Sequence, residues 1–252
     1  MVSCVVSDIG LTKKINQDAI FCKHILVNQQ RCTFGCVCDG LGGLSGGEIA
    51  SSNAVRSLTE WFIHQYPYLY NNMSKAIDSL QNCIMDYNSR LFAYGKQQHI
   101  QTGTTISGIV LHNHKYFTVN TGDSRVYMIR NKSLSLLTKD HSYVQYEIDA
   151  GRMTEEQANN SPQQSVLVYC VGFAPNTVVD VTSGDYSSGD IFFFCSDGAR
   201  HVISNAEFVS YFSNLLQLNP TTDDLKDCLT HLVELCKQRG ESDNISIGAI
   251  IV

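Results

Sequence analysis

Segments with strand character fall in runs, and the two strongest helical stripes stand together between those runs. Val2 to Ser7, Ala19 to Val27 and Thr33 to Cys38 are short apolar or β-branched segments. Two stripes at helical spacing follow. The first is Ala50, Ala54, Leu58, Trp61 and Phe62; the second is Ile77, Leu80, Ile84, Tyr87 and Leu91. Both read as core faces. Strands return at Thr105–Leu111, Tyr116–Asn120 and Arg125–Arg130, and Asn131-Lys132-Ser133 reads as a hairpin turn before Leu134–Thr138. A doubly wound parallel sheet would alternate single strands with single helices. Grouped strands and paired helices predict α+β layers instead.

The last third carries clear helix-end signals. Thr154 caps a short helix over Glu155–Ala158, and Ile191–Cys195 reads as a buried strand. Ser204 with Glu207 forms a capping box for a helix over Ala206–Leu216. Asp223 and Asp224 open a final helix and Lys237 and Arg239 stand near its end, as the helix dipole favours. Gly240 can close it, and Ile245–Val252 returns as a strand. No repeat, low-complexity tract or linker interrupts the chain, so residues 1–252 read as a single domain. The long polar stretch from about Tyr143 to Ser165 reads as a flap, since loops of that length in compact domains are often functional lids.

Hydrophobic residues make up 43% and charged residues 17%, enough for a sizeable core. The net charge of -6 argues against nucleic acid as a partner, because phosphate backbones need surplus Lys and Arg. Met1 to Asp8 lacks the basic-then-apolar pattern of a secretory signal. The longest wholly apolar stretch, about Ile191 to Cys195, falls far short of the roughly 20 residues that span a bilayer. A cytoplasmic, membrane-free monomer is the expectation. The ten cysteines form no repeated C-x-x-C pairs. Cys32, Cys36 and Cys38 lie close together, but without zinc-ligand spacing they read as small buried hydrophobes in a reducing compartment.

Four segments place an Asp at the end of an apolar strand beside Gly or Asn: Cys38-Asp39-Gly40, Gly122-Asp123, Ser196-Asp197-Gly198 and Asp243-Asn244. A carboxylate there, next to a residue free to turn, points into a cleft. Any one of these segments alone is more often a turn or cap. Several together would repel one another unless a cation lay between them. Oxygen ligands of this kind suit hard divalent ions such as Mg²⁺ or Mn²⁺, which activate water and stabilise displacement at phosphorus.

From Ser7 to Val252 the sequence resembles the metal-dependent protein phosphatases of type 2C, the PPM family, especially compact bacterial members. The resemblance rests on Ser7-Asp8-Ile9-Gly10 with Lys13-Lys14-Ile15-Asn16-Gln17-Asp18, on Asp39-Gly40-Leu41-Gly42-Gly43 with Gly46-Gly47-Glu48, and on Thr102-Gly103-Thr104-Thr105. It continues in Gly122-Asp123-Ser124-Arg125, Asp140-His141-Ser142, Ser196-Asp197-Gly198 and Asp243-Asn244-Ile245-Ser246. It implies a four-layer αββα sandwich, two antiparallel sheets flanked by helix pairs. It also implies hydrolysis of phosphoserine and phosphothreonine in proteins, the substrates of a cognate Ser/Thr kinase. Asp39 would bridge two Mn²⁺ or Mg²⁺ ions and the Gly40 carbonyl would hold one of them. Asp197 and Asp243 would hold the other, and Asp18 would orient bound waters. Asp123 with Asp197 matches the site of a third, weaker ion. Gly42 to Gly47 would form a tight loop leading into a helix at Glu48.

Several positions depart from the family pattern. Lys13 stands where an Arg grips the substrate phosphate, and Lys supplies charge without a bidentate fork; Lys14 is the alternative cation. Gln17 replaces a frequent Glu, Leu41 a His found in some members, and His201 an acidic residue. No basic residue stands in Asn159 to Gln164. His141 reads as a structural histidine at the base of the flap or as a pH-sensitive group near the cleft. A pseudophosphatase and a small-ester hydrolase are the competing functions. The first is opposed by the presence of Asp39, Asp197 and Asp243.

Overall fold

The computed structural model describes residues 1–41, 46–217 and 219–252. The chain begins β1 (Val2–Asp8), β2 (Asp18–Val27), β3 (Gln30–Asp39), α1 (Gly47–His64), α2 (Met73–Gln98), β4 (Ile106–His112), β5 (Lys115–Thr121), β6 (Arg125–Arg130) and β7 (Ser133–Leu136). It continues α3 (Tyr143–Asp149), α4 (Glu155–Asn159), β8 (Asp180–Asp185), β9 (Ile191–Cys195), α5 (Asp197–Arg200), α6 (Asn205–Leu216), α7 (Thr222–Gln238) and β10 (Ile245–Ile251). Two five-stranded sheets form, in the orders β1-β10-β9-β6-β7 and β2-β3-β4-β5-β8. Their pairings are antiparallel.

Side-chain alternation builds the layers, because successive strand residues face opposite sides. On β9, Phe192 and Phe194 turn into the gap between the sheets, where they meet Val37, Ile109, Leu111, Val126 and Ile250. Ile191, Phe193 and Cys195 turn outward onto Phe208, Phe212, Leu229 and Leu232 of α6 and α7. On β3, Val37 points into the inter-sheet gap while Phe34, Cys36 and Cys38 face Leu58, Trp61, Phe62, Leu80 and Ile84 of α1 and α2. Strands covered on both faces need continuous apolar runs, as Ile191-Phe192-Phe193-Phe194-Cys195 supplies. The result is the αββα sandwich that the resemblance implied. Cys36 and Cys38 are fully buried core residues, as the sequence suggested.

Three differences from the sequence reading have physical causes. The strand β8 was not expected, because Asp180-Val181-Thr182-Ser183-Gly184-Asp185 is poor in strand formers. It is an edge strand, held by its pairing to β5. The polar stretch 143–165 carries a helix, α3, capped by the Ser142 hydroxyl, as well as the expected α4 with its Thr154 capping box. The hairpin at Asn131 needs only two turn residues, Asn131 and Lys132, both with positive φ, so β7 starts at Ser133 and ends at Leu136. Of the Gly42–Gly47 loop, residues 42–45 lie outside the described residues; Gly46, at φ 80, precedes α1.

Candidate metal centre

Antiparallel pairing brings the acidic turns to one end of the sandwich. Asp18 opens β2 and Asp39 closes β3, and the two are direct cross-strand partners. Directly opposed like charges destabilise a ladder, so two carboxylates here need a cation or a proton. In the other sheet β9 ends at Cys195, just before Ser196-Asp197, and Asp243 lies two residues before β10. Ser196 joins the sheets: its hydroxyl donates to Asp18 Oδ2 at 2.7 Å and accepts from Ser246 N–H at 3.1 Å.

The backbone around these carboxylates is fixed by Asn244 and two glycines. Asn244 Oδ1 accepts from Gln17 N–H, and its Nδ2 donates to the carbonyls of Ile9 and Ile15. This pins the loop from Ile9 to Gln17 against Asp243. Gly40 donates to the Gln17 carbonyl, and a Cβ there would overlap the Gly47 and Gln17 backbone. At Gly198 a Cβ would overlap the Asn244 carbonyl. The turns carrying Asp39, Asp197 and Asp243 are therefore packed backbone against backbone, a closeness only glycine permits.

The electrostatics reflect crowded negative charge. Burial pushes the Asp18 carboxyl up to about 7; Asp197 and Asp243 add to the shift, while Ser246 and Ser196 oppose it. Asp39 rises well above the usual carboxylate range, through burial and then the charges of Asp18, Asp197, Asp123 and Asp243. Asp123 is likewise pushed up to about 7, by burial and by Asp197, with Arg200 opposing.

The remaining predicted residues fall around this core. Lys13 Nζ lies 2.8 Å from Asp243 Oδ1. Burial tends to lower its pKa, but Asp243, with Asp39 and Asp197 behind it, holds it above the ordinary value. Lys13 and Lys14 lie in the β1–β2 loop rather than on a strand, and Lys14 is exposed. Asp123 is buried, 5% exposed, and its Oδ2 lies 3.2 Å from Arg200. Gln17 Nε2 reaches Glu48 at 3.4 Å. His141 is buried, with Nε2 3.0 Å from Asp180 and its carbonyl accepting from Val168 N–H. That is the structural role at the base of the polar segment.

Two buried carboxylate oxygens, Asp18 Oδ1 and Asp197 Oδ1, have no hydrogen-bond partner among the described residues. Such atoms demand a ligand. The surrounding donors are oxygens, which fits Mg²⁺ or Mn²⁺ better than softer ions. Among the described residues, no group of three or more His, Cys, Asp or Glu side chains converges tightly enough to hold an ion alone. Ions here would retain water and carbonyl ligands, as Mg²⁺ characteristically does.

The profile of the family described as Protein phosphatase 2C matches residues 12–234. The chain belongs to the protein phosphatase 2C family. A putative protein phosphatase 2C-type from Streptococcus pyogenes serotype M6 is 29% identical over 246 residues, covering 97% of this chain and 94% of that relative. The solved serine/threonine phosphatase of S. agalactiae is 28% identical with a TM-score of 0.86, covering 99% of this chain and 98% of that one. The catalytic domain of the serine/threonine protein phosphatase PstP, solved with two manganese ions, superposes with a TM-score of 0.79 at 23% identity, covering 98% and 96% of the two chains. That last likeness bears on the fold. Family membership and the oxygen-rich site together make this phosphatase-family chain one built for divalent metal.

Sequence reasoning missed two charged groups at the site. Arg200 follows Asp197 by three residues on α5 and turns its guanidinium onto Asp123. Glu241, two residues before Asp243, is buried and reaches His201. A charged residue beside a motif Asp was the only available signal, and most such residues are solvated.

Proposed function

We propose that the chain is a protein serine/threonine phosphatase, cleaving phosphoserine and phosphothreonine esters by attack of water at a two-ion Mn²⁺ or Mg²⁺ centre. The observation that carries this reading is the meeting of Asp18 and Asp39 of one sheet with Asp197 and Asp243, which flank strand ends of the other, two of the four having buried oxygens with no partner among the described residues. Asp39 would lie between the two ions, with the Gly40 carbonyl on one and Asp197 and Asp243 on the other. When bound, the ions lower the pKa of a water and neutralise charge at phosphorus. Asp18, held by Ser196, orients water from behind. Lys13, on the pinned loop beside Asp243, binds a phosphate oxygen of the substrate as a point charge. Leu41 offers no proton to the leaving oxygen, so that proton comes from water.

A third ion would share Asp197 with Asp123. It would be the weakest of the three, because the Arg200 guanidinium, 3.2 Å from Asp123 Oδ2, competes for that carboxylate. Residues 1–252 act as one catalytic domain, with 143–165 as a flap over the substrate. The substrates are phosphoproteins of a cognate Ser/Thr kinase, and the enzyme works as a cytoplasmic monomer. No helix among the described residues is long and apolar enough to cross a membrane.

The test is phosphate release with Mn²⁺ from phosphothreonine peptides, phosphotyrosine peptides and a small aryl phosphate. A clear preference in kcat/KM for phosphothreonine is expected. Turnover of the small ester alone would make the chain a general phosphoesterase.

A further inference from the structure

Glu241 is 6% exposed, an unusual place for a glutamate unless its charge is held. Its Oε1 accepts from two backbone N–H groups, Ser242 at 2.7 Å and Asp243 at 2.9 Å. Its Oε2 lies 3.3 Å from His201 Nδ1. The other ring nitrogen, His201 Nε2, lies 3.6 Å from Asp197 Oδ2. One buried carboxylate therefore accepts two hydrogen bonds from the turn carrying Asp243 and faces an imidazole that lies at ion-pair distance from Asp197. These two carboxylates come from separate segments, one after β9 and one before β10.

We infer that Glu241 and His201 form a positioning unit that fixes Asp197 and Asp243 relative to each other for the divalent ion they share. This rests on the metal-centre reading proposed above. Partners behind ligating groups set ligand orientation and thereby affinity. Neither residue touches substrate; both act through the two aspartates. Without Glu241 the ring loses the anchor that holds it beside Asp197, and the Asp243 turn loses its acceptor for two N–H groups.

The test is Mn²⁺ titration calorimetry on Glu241→Gln, Glu241→Ala and His201→Asn, beside phosphopeptide kinetics over a series of Mn²⁺ concentrations. Gln keeps an oxygen for the two backbone N–H groups but turns an amide N–H against His201. Ala removes both ties, and Asn at 201 keeps a donor for Glu241 but falls short of Asp197. Mn²⁺ affinity is expected to fall about 10-fold in the Gln and Asn variants and up to about 100-fold in the Ala variant. Excess Mn²⁺ should restore kcat, with KM for the phosphopeptide little changed. A purely structural lesion would depress kcat at every Mn²⁺ concentration. Unchanged affinity in folded variants, or a kcat defect that Mn²⁺ does not relieve, would overturn the positioning role. Should the Ala variant not fold, the Gln and Asn variants decide. If the unaltered protein bound no Mn²⁺, the metal-centre reading would fall as well; binding with unaltered variants would sink this inference alone.

Discussion

At the scale of single residues, the proposed chemistry falls to the aspartates and to Lys13. Asp39→Asn or Asp243→Asn should lower phosphopeptide turnover by at least about 100-fold at saturating Mn²⁺, since even groups behind metal ligands typically cost 10–100-fold. Near-normal turnover by either folded variant would remove that residue from the centre. Lys13→Ala should raise KM more than it lowers kcat, the pattern of lost uniform binding. Because Lys13 also pairs with Asp243, its removal should not weaken Mn²⁺ binding. Lys14→Ala should leave both constants alone, and a KM defect there instead would shift the phosphate contact by one residue. The strand-end aspartates were legible in the sequence because an Asp beside Gly or Asn after an apolar run has few other uses once several occur together. Arg200, Glu241 and the Asn244 clamp were not legible as site residues. Their roles arise from contacts such as Arg200–Asp123 and Asn244–Gln17, across 77 and 227 residues, which no local pattern encodes.

At the scale of elements, the helices and buried strands were read most completely. Their stripes, caps and apolar runs are local signals: the Ser204–Glu207 capping box stands as expected, and Gly240, at φ 82, follows α7. The edge strand β8 escaped, since its order comes from β5 rather than from its own residues. Helix α3 escaped because its seven residues are too few for an apolar spacing to repeat, and none of them is buried. The turn from β9 into α5 sets the tightest requirement. Gly198→Ala would drive a methyl into the Asn244 carbonyl and push the Asp197 and Asp243 turns apart. It should cost about 1–3 kcal/mol of stability by overpacking and weaken Mn²⁺ binding as well. Denaturant unfolding and Mn²⁺ calorimetry on one sample check both; wild-type affinity in the mutant would show that the turns need not touch.

At the scale of the whole molecule, two sheets deliver carboxylates to one end of the sandwich, and their mutual repulsion makes metal binding depend on pH. Asp18 and Asp123 are raised from 3.8 to about 7, and burial and the neighbouring carboxylates raise Asp39 as well, so the metal-free protein holds protons there that the unfolded chain has released. These groups therefore cost the metal-free fold stability as pH rises from about 4 to about 7. His24 and His112, lowered by burial, act in the opposite sense, so Mn²⁺ affinity is the cleaner readout. Ion binding must displace the protons, and affinity should climb steeply as pH rises toward about 7, with protons released to the buffer. Calorimetry in two buffers of different ionisation enthalpy measures that release; flat affinity across this range would mean the carboxylates are already ionised. The central claim, metal-dependent hydrolysis of a phosphorylated side chain by this set of aspartates, is tested most directly by phosphate release from a phosphothreonine peptide. The assay is run with Mn²⁺, with chelator, and with Mn²⁺ restored, on the unaltered protein and on Asp39→Asn. The expected result is turnover that Mn²⁺ supports, chelator abolishes and restored Mn²⁺ returns, with Asp39→Asn nearly inactive throughout. Turnover that persists in chelator, or equal turnover by Asp39→Asn, would contradict it.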